Sequence, residues 1–346
     1  MPLRNRQVCL KRYPDGLPRP EDFALVESEL ATPEAGEVMV ETHFLSMDPA
    51  PRLRMDAAAR FPPPLRLNSV VVGRGVGIVR VSSDPSLPAG TVVAGELGWQ
   101  EHAVVPAAQL RRVDTQLGPM QAALGLLGPS GLTAWCLVRE AGRVAAGETV
   151  VVAAAAGSVG SVAVQLARLA GARVVAIVGG AAQADFVISR LGAAAAVDYR
   201  SPRLHADLAA ACPSGANVFL DSVGGDLHNA VMEILADRAR VVAFGYISTY
   251  NQAANAQTEY GRIYQLIRRR AELRGFLIAD YAARFPEALA ELSRYFAEGK
   301  ISSFEHVTDG IEHVPAAFAA LFTGDPVGKQ LVRVHAPVEQ GSRGTP

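Results

Sequence analysis

Short valine-rich runs, broken by glycine and proline, dominate the first third of the chain. Residues 37–44, 69–81 and 91–94 read as strands. Gly73, Gly75 and Gly77 alternate inside the second run, which implies close backbone packing in a curved, barrel-like sheet. Three consecutive prolines at 62–64 mark a loop. Near Gly125 the pattern changes. Strand-like runs at 149–153, 173–178, 218–221, 240–244 and 273–278 alternate with helix-like stretches. Helices are expected at 162–170 and 183–191, stopped by Gly171 and Gly192. Such alternation predicts an α/β fold, a parallel sheet with helices on both faces. A further helix is expected over 285–298, with Gly299 as its stop. A strand over 330–334 would return to the first region. Residues 336–346 are small and polar and are expected to fray.

Composition narrows the class. At 346 residues the chain is long enough for two domains, which usually run about 100–200 residues each. Hydrophobic residues make up 49% and charged ones 19%, enough for buried cores and too apolar for disorder. A net charge of −1 gives no basic excess for nucleic acid or an anionic membrane. No apolar run reaches the roughly 18 residues of a membrane span. The first residues lack the apolar stretch of a signal peptide, so a cytoplasmic protein is expected. Cys9, Cys136 and Cys212 are far apart and form neither a disulfide framework nor a metal pattern.

The candidate chemistry begins at Ala155-Ala156-Gly157-Ser158-Val159-Gly160, between a predicted strand and a predicted helix. Gly157 permits a turn close to a pyrophosphate, and Gly160 permits close helix–strand packing. The free N–H groups at the helix start attract phosphates. Alanine replaces the usual first glycine, so this is a variant dinucleotide fingerprint. The second strand ends at Val178-Gly179-Gly180, where an NAD site would place an acid about 20 residues past the glycines. Glycines there leave room for a 2′-phosphate, which favours NADPH/NADP+.

The chain resembles the zinc-independent medium-chain dehydrogenase/reductases, most of all the prostaglandin reductase (leukotriene B4 dehydrogenase) and alkenal double-bond reductase group. The residues that carry the resemblance run nearly end to end. They are Met47-Asp48-Pro49 with Arg52 and Met55, residues 131–135, the Gly157 loop, Asp198-Tyr199, residues 221–225, residues 245–251, Gly275-Phe276, residues 285–288 and Gly328-Lys329. The resemblance implies a GroES-like β-barrel substrate domain over residues 1–125 and 304–346. It also implies a Rossmann doubly wound parallel sheet over 126–303, and commonly a homodimer through the Rossmann sheets. Zinc-dependent relatives carry a Gly-His-Glu motif and four clustered cysteines; this chain has neither, so no metal is expected.

The same resemblance assigns binding roles. Gly157, Ser158, Val159 and Gly160 meet the pyrophosphate, and Gly180 and Tyr199 lie by the adenosine ribose phosphate. Ser222 is near the cofactor. Phe244, Gly245, Tyr246, Ile247 and Ser248, with Phe276, Leu277 and Ile278, line the ribose and nicotinamide, and Thr133 stands close by. Three departures stand out. Gln183 replaces a lysine that faces the 2′-phosphate, and Arg200 is either a substitute cation or a solvated surface arginine. Pro326 replaces an asparagine at the cofactor. Ala50 and Pro51 replace bulky residues at the substrate cleft, which widens it.

The expected reaction is NADPH-dependent reduction of a carbon–carbon double bond conjugated to a carbonyl in a small-molecule substrate. Charge then grows on the carbonyl oxygen and needs a hydrogen-bond donor. Tyr250 is the candidate catalytic residue, because a phenol with a reference pKa of about 10 keeps its proton at neutral pH. A quinone reductase and a non-catalytic NADP(H)-binding protein remain open at this point. Scattered His43, His102, His205, His228 and His306 lack ligand spacing. Arg268-Arg269-Arg270 could meet an anionic substrate tail, but a short charge run is more often a solvated face.

Overall fold

The structure, a computed structural model, describes residues 4–59, 63–252, 262–324 and 327–335. The expectations placed on Pro326, on residues 336–346 and on part of the proline loop lie outside these. The N-terminal strands are β1 (Arg4–Leu10), β2 (Phe23–Glu29), β3 (Glu37–Ser46), β4 (Arg74–Ser82), β5 (Val92–Glu96), β6 (His102–Pro106) and β7 (Arg111–Arg112). The parallel region holds β8 (Thr149–Val152), β9 (Arg173–Val178), β10 (Ala195–Asp198), β11 (Ala216–Asp221), β12 (Leu235–Ala243) and β13 (Glu272–Gly275). Last come β14 (Glu305–Asp309) and β15 (Lys329–Arg333). The helices are α1 (Pro129–Cys136), α2 (Ser158–Leu169), α3 (Ala181–Asp185), α4 (Leu204–Ala211), α5 (Gly225–Glu233), α6 (Tyr264–Arg269), α7 (Phe285–Ala297) and α8 (Val314–Ala320).

The parallel sheet has the order β10-β9-β8-β11-β12-β13. This is the doubly wound arrangement, with its order reversing between β8 and β11. Its central strands β8, β9 and β11 are apolar on both faces, as strands covered twice must be. Val150, Val152, Val174, Ala176, Val218 and Leu220 face one core, which α1, α2 and α7 complete. Their neighbours Val151, Ala153, Val175, Ile177 and Phe219 face the other, completed by α4 and α5. The period of two in strand side chains splits one valine-rich run between two cores.

The N-terminal sheet shifts register twice between β3 and β4. Added Cβ atoms would lie 2.5 Å from the Trp99 indole at Gly73, 2.9 Å from Leu97 at Gly75 and 2.1 Å from the Glu41 carbonyl at Gly77. The alternate glycines are therefore places of close approach. The C-terminal end returns to this sheet: β15 pairs antiparallel with β3, and β14 pairs parallel with β15. Phe318 of α8 packs edge-on against Trp99 at 5.1 Å, which locks the returning segment to the N-terminal core.

Several boundaries differ from the sequence pattern. The run 69–81 becomes a strand only at Arg74, because Val71 bonds to Val8 and Trp99 instead of entering the ladder. The helix expected from 162 begins at Ser158, so the glycine loop supplies its first turn. The helix expected over 183–191 is α3 followed by a wide π turn, Phe186–Arg190. The strand expected over 273–278 stops at Gly275. Phe276 still donates to the Ala243 carbonyl, and a 3-10 turn opens at Ile278. Strands β10 and β14 carried too little local pattern to be anticipated.

Candidate functional site

The site is built on the C-terminal ends of the parallel strands, beside the point where their order reverses. After β8 the chain turns at Ala154, which adopts φ 47°. Gly157 itself is extended, at φ −78°, and donates its N–H to the Ala154 carbonyl at 2.9 Å. The left-handed residue of this loop is thus an alanine, and Gly157 is not held by a positive φ. The glycine that the packing demands is Gly160. A Cβ there would lie 2.3 Å from the Ala154 oxygen and 2.8 Å from the Ala155 Cα. Its absence seats α2 directly on the loop. The amides of Ser158, Val159 and Gly160 then open the helix without intrahelical acceptors. Such a bare helix start fits an anion such as a pyrophosphate, and a side chain at 160 would push α2 off the loop. Ser158 Oγ is bonded to Ser130 Oγ at 2.6 Å, which joins the starts of α2 and α1. Thr133 lies half-buried on α1.

After β9, Gly180 has φ 95°, and a Cβ added there would meet nothing within 4 Å. The space is open. Gln183 does not reach into it. Its side chain is buried, accepting from the Gly179 N–H at 2.9 Å and donating to the Gly324 carbonyl at 2.8 Å. It ties the strand end to the segment before residue 325. The cation at this corner is Arg200, whose guanidinium lies 5.4 Å over the Tyr199 ring and donates to the Thr323 carbonyl. A Cβ at Gly179 would touch both Tyr199 and Arg200. Tyr199 and Arg200 therefore form one wall of the corner that Gly179 and Gly180 leave open. The residues fit an adenosine ribose bearing a 2′-phosphate.

After β11, the buried Asp221 accepts from the Val223 and Gly224 amides, both at 2.9 Å, and pairs with buried His228 at 2.8 Å. This pair shapes the 222–225 turn. No sequence spacing flagged it, although four residues of that turn were family markers. The loop after β12 is fastened to that turn. Ile247 N–H donates to Ser222 O, and both the amide and the hydroxyl of Ser248 donate to Val223 O. A Cβ at Gly245 would lie 2.9 Å from Ser222 O. Tyr246 and Tyr250 pack edge-on at 5.0 Å. Phe244, Phe276 and Ile278 lean on the core, while Leu277 turns outward.

The N-terminal half closes on this edge. Gly328 N–H donates to the Ala156 carbonyl at 2.8 Å. Next to it, buried Lys329 pairs with Asp48 at 2.5 Å. Burial alone would raise the Asp48 carboxyl; Lys329, Ser46 Oγ and Arg74 outweigh it and hold it below its ordinary 3.8. Pro49 follows, then a 3-10 turn, Ala50–Arg54, with Ala50 exposed and Pro51 buried. Arg52 in that turn donates to Asn251 Oδ1 at 3.0 Å, next to Tyr250. Gly157, Gly180, Tyr199, Ser222, Tyr250 and Ala50 are thus gathered on one side of the molecule, from both halves. The Arg268–Arg270 run is not. It ends α6, and Arg269 and Arg270 pair with Asp237 at the opposite edge of the sheet.

Residues 6–113 match the family profile described as the N-terminal domain of oxidoreductase. Residues 158–294 match that described as zinc-binding dehydrogenase. The second description implies zinc, but the side chains do not fit it. Among the described residues no group of three or more His, Cys, Asp or Glu could hold a metal ion, and Cys9, Cys136 and Cys212 are buried separately. A putative NADP-dependent oxidoreductase of Bacillus subtilis is 39% identical over 97% of this chain and its own full length. The NADPH-dependent curcumin reductase of Escherichia coli is 36% identical over 96% of this chain and 97% of its own. The NADP(+)-dependent 2-alkenal reductase of Nicotiana tabacum is 33% identical over 96% and 98%. The crystal structure of CurA from Vibrio vulnificus in complex with NADPH superposes with a TM-score of 0.90. It is 34% identical, covering 96% of this chain and all of that one.

Proposed function

This chain belongs to the zinc-independent medium-chain dehydrogenase/reductases, and we propose that it reduces the double bond of an α,β-unsaturated carbonyl compound with NADPH. The observation that carries this is end-to-end likeness, at 36% and 33% identity, to the NADP-linked reductases of curcumin and of 2-alkenals. A 2-alkenal is by definition an α,β-unsaturated aldehyde. The likeness to solved quinone oxidoreductases is lower, at 22% and 24%, and speaks for the fold alone.

In this reading residues 1–125 and 304–346 form the substrate domain and 126–303 the cofactor domain. The amides of Ser158, Val159 and Gly160 bind the pyrophosphate. Tyr199 and Arg200 stand beside the 2′-phosphate, while Gln183 holds the corner's shape. Ser222, the 244–248 loop, Phe276 and Ile278 line the remainder, with the outward-turned Leu277 left out of that lining, and Thr133 approaches from α1. Bound NADPH supplies the hydride that reaches the β-carbon. Tyr250 donates from its Oη to the carbonyl oxygen, where negative charge accumulates. Ala50, in place of a bulkier side chain, leaves the mouth of the cleft wide. A homodimer is supported by β13, an outer strand with exposed Leu273, and by Ile263, Ile267 and Leu277, which are 57%, 81% and 59% exposed.

The test is a comparison of initial rates with enones, enals and quinones, each with NADPH and NADH. Faster turnover of the conjugated carbonyls with NADPH is expected. A preference for quinones, or no oxidation of NADPH by any acceptor, would replace this reading with one of its rivals.

A further inference from the structure

Arg52 is a buried cation, 5% exposed. Its three acceptors are all neutral oxygens: Gly16 O at 3.0 Å, Met55 O at 3.3 Å and Asn251 Oδ1 at 3.0 Å. No carboxylate among the described residues forms a salt bridge with it. A guanidinium kept from water without an ion-pair partner is costly, so each of its bonds is held firmly. Two of them stay in the N-terminal half, where the 50–54 turn also has its own backbone bonds, Arg52 N–H to Pro49 O and Met55 N–H to Arg52 O. The third leaves that half and reaches a residue 199 positions away. Gly16 stands against the same residue, where a Cβ would come 3.9 Å from Asn251 O.

Asn251 immediately follows Tyr250. On its other side the turn is fastened to the 222–225 segment through Ile247 and Ser248. Tyr250 therefore sits between two anchors, one from each half of the molecule. We propose that the Arg52–Asn251 bond is a positioning device for Tyr250, fixing the turn that bears the phenol to the wall of the cleft opposite the cofactor loops. The inference rests on the reading of Tyr250 as the proton-bearing donor.

The test uses the full-length protein. Asn251→Ala removes the crossing acceptor and leaves the other two bonds of Arg52 intact. Arg52→Lys keeps the charge but loses the guanidinium fork. Amide hydrogen exchange of residues 247–252 is measured without cofactor, together with NADPH affinity and kcat on an enone. Asn251→Ala is expected to speed exchange at 247–252 by about tenfold or more while β11 stays protected. It should lower kcat by about tenfold and leave NADPH affinity within about twofold. Arg52→Lys should behave alike, and combining the two substitutions should cost little more than either alone. Unchanged exchange and kcat in Asn251→Ala, or fully additive effects, would overturn the proposal. If Arg52→Lys does not fold, Asn251→Ala alone decides. Tyr250→Phe is measured in parallel. If it turns over normally while exchange still rises in Asn251→Ala, the bond holds the turn and the assignment of Tyr250 is what fails.

Discussion

The two ends of the parallel strands both turn through left-handed backbone, and they differ in what stands in front of it. At the N-terminal edge Gly147, Gly171 and Gly215 have positive φ, and so do three arginines, Arg143 (φ 46°), Arg238 within β12 (φ 60°) and Arg270 (φ 50°). The arginines line a polar groove of about 400 Å³. That groove is closed by its own charges, because Arg143 pairs with Glu272, Arg240 with Glu148 and Arg270 with Asp237. At the C-terminal edge the positive-φ residues are Ala154, Gly180, Gly224 and Gly225. There Gly160 has no room for a Cβ, and the space beside Gly180 is open. Left-handed backbone alone does not mark a site, since a side chain that can point outward tolerates it. What marks a site is backbone left bare, with amides unspent and space in front of them.

The contrast breaks hardest at Gly160. Gly160→Val should abolish NADPH binding in a fluorescence titration and destabilise the fold by about 1–3 kcal/mol through overpacking. Arg143→Ala, at the other edge, should change stability by less than about 1 kcal/mol and leave the kinetics alone, as exposed ion pairs do. Equal effects at the two edges would erase the distinction.

The next effect separates phosphate recognition from pyrophosphate recognition. Arg200→Gln should raise KM for NADPH about tenfold, worth roughly 1.4 kcal/mol, and leave KM for NADH where it was. A parallel rise for both cofactors would assign Arg200 to folding of the 323–324 segment instead.

The alternating α/β pattern was legible because β8, β9 and β11 are short apolar runs between glycine stops. So was the glycine loop, since its residues are contiguous. The packing role of Gly160 was legible too, and a Cβ there would lie 2.3 Å from the Ala154 carbonyl. What was not legible is that the left-handed residue of the loop is Ala154 and not Gly157. Gln183 could be read as a lost cation from its position, but its bonds to Gly179 and Gly324 depend on a segment 141 residues away. The Arg52–Asn251 and Asp48–Lys329 contacts are longer still, and no local periodicity encodes them. Strand β14 was missed because Glu305–Asp309 alternates weakly and takes its register from β15.

A smaller effect concerns the seam between the halves. The folded Asp48 carboxyl sits below its ordinary 3.8, so it contributes stability above that pH and loses it as pH falls through the folded value. Asp48→Asn should therefore lower Tm at pH 7, with the difference from the native protein shrinking below about pH 3.8. A difference that persists undiminished in acid would remove the ion pair from the account.

The central claim is that the C-terminal edge delivers hydride to a carbon–carbon double bond. The direct measurement uses NADPH deuterated at the nicotinamide C4 position, presented with each face labelled in turn, and an α,β-unsaturated ketone as acceptor. One of the two labelled cofactors should give the saturated ketone with deuterium on the β-carbon. Deuterium on the carbinol carbon of an allylic alcohol, or no transfer from either face, would contradict it.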